Sequence, residues 1–234
     1  MSMSEEEERT LAARAALDHV KDGMRLGIGS GRAVAKFIEA LSLKMAEEDI
    51  TVKAVPTSVK TELLCLRHGI PLTTLNETPR LDLDVDGADQ VERGSLNMIK
   101  GGGGALLREK IVASASDTRI IIIEEKKLTD KLNWKIPLEV LPFALGFCLE
   151  QLRRLGKPEV REGTGKLGPV VTDNGNYIVD LDLGAIEAPH KVEEELKGIP
   201  GILETGLFLN LADKVIIGTS KGKLEILERS SRHR

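Results

Sequence analysis

Aromatic residues are scarce in this chain of 234 residues, because one Trp, one Tyr and four Phe make up only 3% of it. A surface that stacks nucleic-acid bases on aromatic rings is therefore not expected. Positive charge is not in excess either, since 33 basic residues are set against 37 acidic ones and the formal net charge is −4. This balance disfavours a broad phosphate-backbone interface. The sequence predicts no nucleic-acid partner, and any anionic ligand should be small and held locally.

Cysteines and long apolar runs are also few. Cys65 and Cys148 lie 83 positions apart among apolar neighbours, so buried, reduced thiols are expected. The four histidines are scattered, which gives no transition-metal pattern. No apolar run approaches membrane-spanning length, and the segment MSMSEEEERT is unlike a secretory signal. We expect a cytoplasmic protein with no membrane partner and no bound metal.

The hydrophobic share of 41% is aliphatic, so Ile, Leu, Val and Ala must fill the core. A first helix is predicted over Glu5 to Val20, with Ser4 and Glu7 forming a capping box. Alternation of three aspartates with Leu81, Leu83 and Val85 predicts a strand with one polar face. Further strands are predicted at 25–29, 51–55 and 120–123, and further helices at 33–43, after the PTSVKTE segment to about 69, and after the glycine run.

This strand–helix alternation predicts an α/β fold with a Rossmann-like, mostly parallel sheet and right-handed crossovers. The pattern of predicted helices and strands changes after position 135. Helices at 145–155 and 189–197 and strands at 170–172, 177–182 and 201–209 predict an inserted, smaller α+β domain of ferredoxin-like type. The main domain is then 1–135 plus 212–234, with a hairpin in KVIIGTSKGKLEIL, and the insertion is 136–211. The tail ERSSRHR is expected to be disordered.

Candidate ligand groups follow three predicted strands, where ligands of parallel sheets collect. Gly29-Ser30-Gly31 precedes a helix, and backbone N–H groups there suit a phosphate, although an ordinary turn has the same pattern. Asp86 and Asp89 frame Gly87 and Ala88. This pair could bind a metal or a sugar hydroxyl, or it could simply form a turn.

A lysine, a glycine run and a carboxylate follow. Lys100 precedes Gly101–Gly104, and its ammonium could stabilise charge on a substrate oxygen or lie in solvent. Glu109 belongs to a helix whose stripe of small or apolar residues predicts a raised pKa, as a proton-transferring base requires. The alternative is a solvated charge triplet, Arg108 to Lys110. One of Lys126 and Lys127 could reach a phosphate.

Together these segments resemble the A-type ribose-5-phosphate isomerase family. VDGADQ and MIKGGGGALLREK resemble its central signature, GIGSGRAVAKFIEAL its phosphate loop, and VVTDNGN and PGILETGLF its second domain. The resemblance extends from about residue 5 to residue 227. It implies interconversion of ribose 5-phosphate and ribulose 5-phosphate through an enediolate, with no metal or organic cofactor. A homodimer or homotetramer is also implied.

The resemblance also assigns roles. Glu109 corresponds to the base, Asp86 to an acid that assists ring opening, and Lys100 to the group that stabilises the oxyanion. The implied substrate-binding residues are Ser30, Gly31, Arg32, Ala33, Asp86, Gly87, Ala88, Asp89, Lys100, Gly101, Gly102, Gly103 and Lys127.

Two positions depart from the family pattern. Arg32-Ala33 stands where the phosphate loop usually has hydroxyl residues, and Arg32 could supply a charged fork in their place. Gln90 stands where an acid is usual. Two other functions use related folds: a non-catalytic sugar-phosphate sensing module, and acyl-CoA transfer with a glutamate nucleophile.

Overall fold

The structure, a computed structural model, describes residues 2–165 and 167–229. Its helices are α1 (Glu5–Ala16), α2 (Arg32–Glu48), α3 (Val59–Arg67), α4 (Leu106–Ala115), α5 (Leu145–Leu152) and α6 (Pro189–Lys197). Its strands are β1 (Arg25–Ile28), β2 (Lys53–Pro56), β3 (Leu81–Asp86), β4 (Gln90–Glu92), β5 (Met98–Ile99), β6 (Ser116–Glu124), β7 (Leu128–Thr129), β8 (Ile136–Val140), β9 (Lys157–Val160), β10 (Tyr177–Asp182), β11 (Ile202–Thr205), β12 (Leu207–Phe208), β13 (Lys214–Gly218) and β14 (Leu224–Glu228).

The chain forms two compact units. The first unit comprises Met1–Ala88, Arg108–Leu128 and Asn210–Arg234, and the second comprises Asp89–Leu107 and Thr129–Leu209. Residues 89–107 and 129–135, which the sequence placed in the main domain, group with the second unit. One reason is that β5 pairs with β12, more than a hundred residues further along the chain.

The first unit contains a six-stranded sheet in the order β14-β13-β6-β3-β1-β2. Its neighbouring strands are parallel except for the terminal hairpin of β13 and β14. One face packs against apolar residues of α1, α2 and α3, and the other carries Val112 of α4 beside Val55 and Leu81. The predicted Rossmann-like sheet and its closing hairpin are confirmed.

Strand β3 is confirmed with the polar face that its alternating aspartates predicted, but this face is mostly buried. Asp84 and Asp86 are each only 1% exposed. The aspartates are buried because β3 lies between β1 and β6 and both faces of the sheet are covered. Only Asp82 is partly exposed, and its carboxylate binds the guanidinium of Arg25.

The second unit contains a four-stranded antiparallel sheet in the order β11-β8-β10-β9, with α5 and α6 in the connections. This order confirms the predicted ferredoxin-like type. Two predicted strands differ in detail. Segment 170–172 forms only an isolated bridge, and segment 201–209 is divided at Gly206 into β11 and β12, which join different sheets.

The N-terminal helix is shorter than predicted. The capping box of Ser4 and Glu7 is confirmed, but α1 ends at Ala16 and continues as a 3-10 turn, Leu17–His19. Of the predicted disordered tail, residues 230–234 lie outside the described residues, whereas Glu228 ends β14. Within the described ranges, none of the helices has the length and apolar character that a membrane span requires.

Candidate active site

Three of the predicted motifs lie at the carboxyl edge of the parallel sheet in the first unit. Gly29 follows β1, Asp86 ends β3 and Glu124 ends β6. Because β6, β3 and β1 are adjacent in the sheet, the loops that follow them leave from the same edge. The backbone therefore brings these motifs together as the sequence predicted.

Asp86 is held by backbone N–H groups. Its Oδ1 accepts hydrogen bonds from the amide nitrogens of Ser30 (3.1 Å) and Gly87 (2.7 Å). A Cβ at Gly29 would lie 1.9 Å from this oxygen, so only glycine allows the loop after β1 to approach so closely. The carboxylate orientation is consequently determined by the loop that carries the predicted phosphate motif.

A cluster of hydroxyl groups surrounds Ser30. Its Oγ lies 2.9 Å from Thr57 Oγ1, 2.7 Å from Ser58 Oγ and 3.1 Å from Thr61 Oγ1. The Thr61 hydroxyl also donates to the carbonyl of Gly29 (2.8 Å). Sequence reasoning did not single out these partners of Ser30, although Thr57 and Ser58 follow β2 directly, as polar ligands at a strand end would.

The rest of the glycine loop opens α2. Gly31 is the N-cap residue with φ +113°, a conformation that favours glycine, and no side chain caps this helix. The first-turn N–H groups thus have no side-chain acceptor at the cap. Arg32 is exposed and Ala33 is buried, and the first turn of α2 contains no acidic residue.

Glu109 lies in the first turn of α4 and is 4% exposed. Its neighbour Lys110 is also buried, which contradicts the alternative of a solvated charge triplet. Of the stripe predicted at Ala105, Val112 and Ser116, only Val112 lies in α4 and is buried there; Ala105 precedes the helix and is partly exposed, and the buried Ser116 begins β6. The raised pKa inferred for Glu109 stays a prediction.

The lysine pair after β6 divides into two environments. Lys127 Nζ lies 3.5 Å from Glu124 Oε2, whereas the more exposed Lys126 pairs with Glu5. Glu124 is fully buried and also accepts two hydrogen bonds from Arg9 (3.2 and 2.9 Å). Burial acts to raise the Glu124 pKa, but Arg9 and Lys127 outweigh it, so this pKa lies below its usual value.

In the second unit, Lys100 is 3% exposed, which contradicts the alternative of a side chain in solvent. Its Nζ lies 5.3 Å from the centroid of the Phe208 ring, within the range of a cation–π contact. Its backbone nitrogen donates to the carbonyl of Gly206 (2.9 Å). Lys100 therefore follows β5 with its backbone N–H paired and its side chain buried.

The glycines after Lys100 differ in backbone conformation and in the space that a Cβ atom would have. Gly101 and Gly104 adopt φ +106° and +77°, and a Cβ at Gly101 would lie 2.8 Å from Leu106. A Cβ at Gly102 would lie 2.6 Å from Asp89 Oδ1, whereas a Cβ at Gly103 would meet nothing within 4 Å. The run forms a tight turn, closed by a hydrogen bond from Gly104 N to Gly101 O (2.9 Å).

Two charged side chains hold this turn. Asp89 Oδ2 accepts a hydrogen bond from Gly102 N (2.7 Å). Arg161 donates from Nη1 to the carbonyls of Gly101 (2.8 Å) and Gly102 (3.1 Å). Sequence reasoning missed Arg161, because it is distant in sequence from the turn and belongs to no local motif.

Gln90 links two segments of the second unit. Its Oε1 accepts from the backbone nitrogens of Asn133 (2.8 Å) and Trp134 (3.0 Å), and its Nε2 donates to Asn133 Oδ1 (2.6 Å). An ionised carboxylate could accept but could not donate. The departure from the acid that is usual in the family therefore corresponds to a bond that only an amide makes here.

The predicted site residues divide between the two units. The first unit contains Ser30, Gly31, Arg32, Ala33, Asp86, Gly87, Ala88, Glu109 and Lys127, and the second contains Asp89, Lys100, Gly101, Gly102 and Gly103. Hydrogen bonds join Ser30 and Gly87 to Asp86 in the first unit, and Gly102 to Asp89 in the second. Among residues 2–165 and 167–229, no three His, Cys, Asp or Glu side chains form a cluster that could hold a metal ion.

Comparison with known proteins gives a consistent result. The family model of Ribose 5-phosphate isomerase A (phosphoriboisomerase A) matches residues 53–222. Ribose-5-phosphate isomerase A of Archaeoglobus fulgidus is 48% identical over 214 residues, which cover 90% of this chain and 94% of that protein. The enzyme of Methanococcus aeolicus is 44% identical over 228 residues, 96% of each chain.

Solved structures agree. A D-ribose-5-phosphate isomerase in complex with phospho-erythronic acid is 42% identical, with a TM-score of 0.93 over 97% of this chain and 100% of that chain. The ribose 5-phosphate isomerase A of Methanocaldococcus jannaschii is 40% identical, with a TM-score of 0.92 over the same shares. The chain therefore belongs to the ribose 5-phosphate isomerase A (phosphoriboisomerase A) family of isomerases.

Proposed function

We propose that this chain interconverts D-ribose 5-phosphate and D-ribulose 5-phosphate by moving a proton between C1 and C2 through an enediolate. The observation that carries the proposal is the buried carboxylate of Glu109 in the first turn of α4, directly after the glycine turn. Excluding water from a carboxylate strengthens its interaction with the reacting C–H group. Glu109 removes the proton from one carbon and returns it to the other.

We propose that Asp86 transfers protons to and from the hydroxyl groups of the substrate. Two backbone N–H groups determine the direction of its Oδ1 at the carboxyl end of β3, where substrates of parallel sheets bind. In the proposed reaction Asp86 assists ring opening and then moves a proton between O1 and O2. Asp89 binds further hydroxyls of the open chain.

Lys100 and the N–H groups of the glycine turn stabilise the negative oxygen of the enediolate. A buried ammonium interacts more strongly with developing charge than a solvated one does, because little solvent screens it. The phosphate binds the backbone of Ser30-Gly31-Arg32-Ala33 at the start of α2, with Lys127 as a counter-charge. The Arg32 guanidinium replaces the loop hydroxyls that are usual in the family.

One relative was solved with phospho-erythronic acid. This four-carbon acid carries a phosphate and a planar carboxylate, and the two carboxylate oxygens resemble the two oxygens of an enediolate. We infer that the present chain binds the same compound in competition with its sugar phosphate. Affinity for such a mimic should exceed affinity for the substrate, since enzymes favour the transition state.

The decisive test is deuterium incorporation from D₂O at C1 and C2 of ribose 5-phosphate, read by NMR. Wild type should incorporate deuterium, whereas Glu109→Gln should lose about 10²–10⁴-fold in kcat and retain phospho-erythronic acid binding within a few-fold. Glu47→Gln, on the exposed side of α2, is the matched control and should equal wild type. Sugar-phosphate binding without exchange in wild type would indicate a sensing module, and an acyl-glutamate formed from a CoA thioester would indicate acyl transfer.

The proposed mechanism uses no metal, so isomerisation should be unchanged after dialysis against a chelator. The measurement is kcat/KM before and after EDTA treatment, with metal content determined in parallel. Loss of activity that a divalent cation restores would contradict the cofactor-free mechanism.

We also propose a cytoplasmic location and a homodimer or homotetramer. Light scattering of the purified protein would establish the oligomeric state.

A further inference from the structure

Arg161 is anchored in the sheet of the second unit before its side chain reaches the glycine turn. Its backbone nitrogen donates to Ile178 O (2.9 Å), just beyond the end of β9. Its Nε donates to Asp180 Oδ2 (2.7 Å), and Nη2 binds the other oxygen of the same carboxylate. This two-point fork leaves Nη1 directed at the carbonyls of Gly101 (2.8 Å) and Gly102 (3.1 Å).

The direction of these carbonyls determines where the following N–H groups point. In a trans peptide the C=O and the next N–H point in opposite directions, and the described residues contain no cis peptide. Because Gly101 O accepts from Arg161, the N–H of Gly102 faces away from the guanidinium. This N–H donates to Asp89 Oδ2 (2.7 Å). With Gly102 O on Arg161, the N–H of Gly103 must also face away from the guanidinium.

We propose that Arg161, held by Asp180, is a positioning residue that orients the glycine turn so that the N–H of Gly103 is presented to the negative oxygen of the reaction intermediate. This inference rests on the proposed function. Successive glycines without Cβ atoms would otherwise sample many conformations, and an oxyanion donor is effective only when its direction is fixed in advance. Arginine suits the task because one planar group binds a carboxylate and still has a donor for the turn.

The test compares Arg161→Gln with Arg119→Gln. Arg119 makes the same fork with Asp213, through Nε to Oδ2 (2.7 Å) and Nη2 to Oδ1 (2.9 Å), but in the first unit. The two arginine side chains are almost equally exposed, 19% and 18%. Arg161→Gln should lower kcat at least about tenfold with KM within about threefold, because the oriented N–H acts on charge that develops during the reaction. Arg119→Gln should keep kcat within about twofold of wild type.

Two further readouts separate positioning from stability. Guanidinium ion should restore part of the kcat of Arg161→Ala, whereas sodium ion at equal ionic strength should not. Amide hydrogen exchange at Gly102 should be faster in Arg161→Gln than in Arg119→Gln. An unchanged kcat in Arg161→Gln, or a loss fully explained by a smaller folded fraction, would overturn the proposal.

The same experiment distinguishes the two levels of inference. A wild type that does not isomerise ribose 5-phosphate would refute the proposed function, and unaltered exchange at Gly102 in Arg161→Gln would then refute the orienting contact as well. A wild type that isomerises while Arg161→Gln matches it would refute the positioning role alone.

Discussion

At the scale of single residues, two neighbouring glycines of the turn after Lys100 should differ in how much a substitution by alanine destabilises the protein. A Cβ at Gly102 would lie 2.6 Å from Asp89 Oδ1, whereas a Cβ at Gly103 would have open space. Neither glycine has a positive φ, so backbone strain does not distinguish them. Gly102→Ala should destabilise the protein by about 1–3 kcal/mol through displacement of Asp89, and Gly103→Ala by less than about 0.5 kcal/mol.

Urea unfolding of the two variants beside wild type measures this difference. Gly102→Ala should also raise KM for the sugar phosphate, since Asp89 is proposed to bind hydroxyls. Equal free energies of unfolding for both alanine variants would show that Asp89 and Gly102 are not in the close contact that the structure describes.

Sequence reasoning at this scale identified residues whose neighbours in the chain form a motif. Lys100 and Glu109 stand on either side of the glycine run, and both are buried as a functional role would require. The supporting residues could not be identified in this way. Arg161 lies 60 positions from Gly101, and Thr61 lies 32 positions from Gly29, so their hydrogen bonds exist only in the folded chain.

At the scale of elements, helix α1 is joined to the end of β6 by the buried contact of Arg9 with Glu124. The Glu124 pKa is lowered in the folded protein, so the contact contributes stability above the usual pKa of 4.5 and loses it as pH falls through the folded-state pKa. Glu124→Gln should cost about 2 kcal/mol at pH 7, because a hydrogen bond between charged groups is replaced by a weaker one. This difference should shrink as the pH falls below that usual value.

Denaturant unfolding at pH 7 and at acidic pH would measure the two differences. Glu5→Gln is the matched control, since Glu5 binds the same guanidinium (2.7 Å) from a more exposed position. Its cost should be clearly smaller than that of Glu124→Gln, because solvent screens an exposed ion pair. A Glu124→Gln difference that is independent of pH would show that the carboxylate charge contributes nothing to the stability of this contact.

Elements with strong local signals were predicted well. The capping box of α1, the buried β6 and the hairpin of β13 and β14 each combine a local sequence signal with regular apolar spacing. The short strands β4 and β5 were missed because two or three residues carry no periodicity. The role of segment 173–176 was not visible from the sequence, because Asn174 and Asn176 donate to the carboxylate of Glu139 in β8, which is buried and more than thirty residues earlier in the chain.

At the scale of the whole molecule, each compact unit has its own hydrophobic core and one buried cysteine. Cys65 belongs to the core of the first unit and Cys148 to the core of the second. Burial raises the pKa of the Cys65 thiol to about 11 and also raises that of Cys148. Reaction of either thiol with a disulfide reagent near neutral pH therefore requires the surrounding core to open.

The two thiols can report separately whether the compact units are independent domains, as we propose. The second unit comprises fewer residues than the first, and smaller domains bury a smaller fraction of their surface. In Cys65→Ala, labelling of Cys148 should begin at a lower urea concentration than labelling of Cys65 does in Cys148→Ala. Identical urea dependence for both thiols would instead mean that the two cores unfold in one cooperative step, because any opening that exposes one thiol would then expose the other.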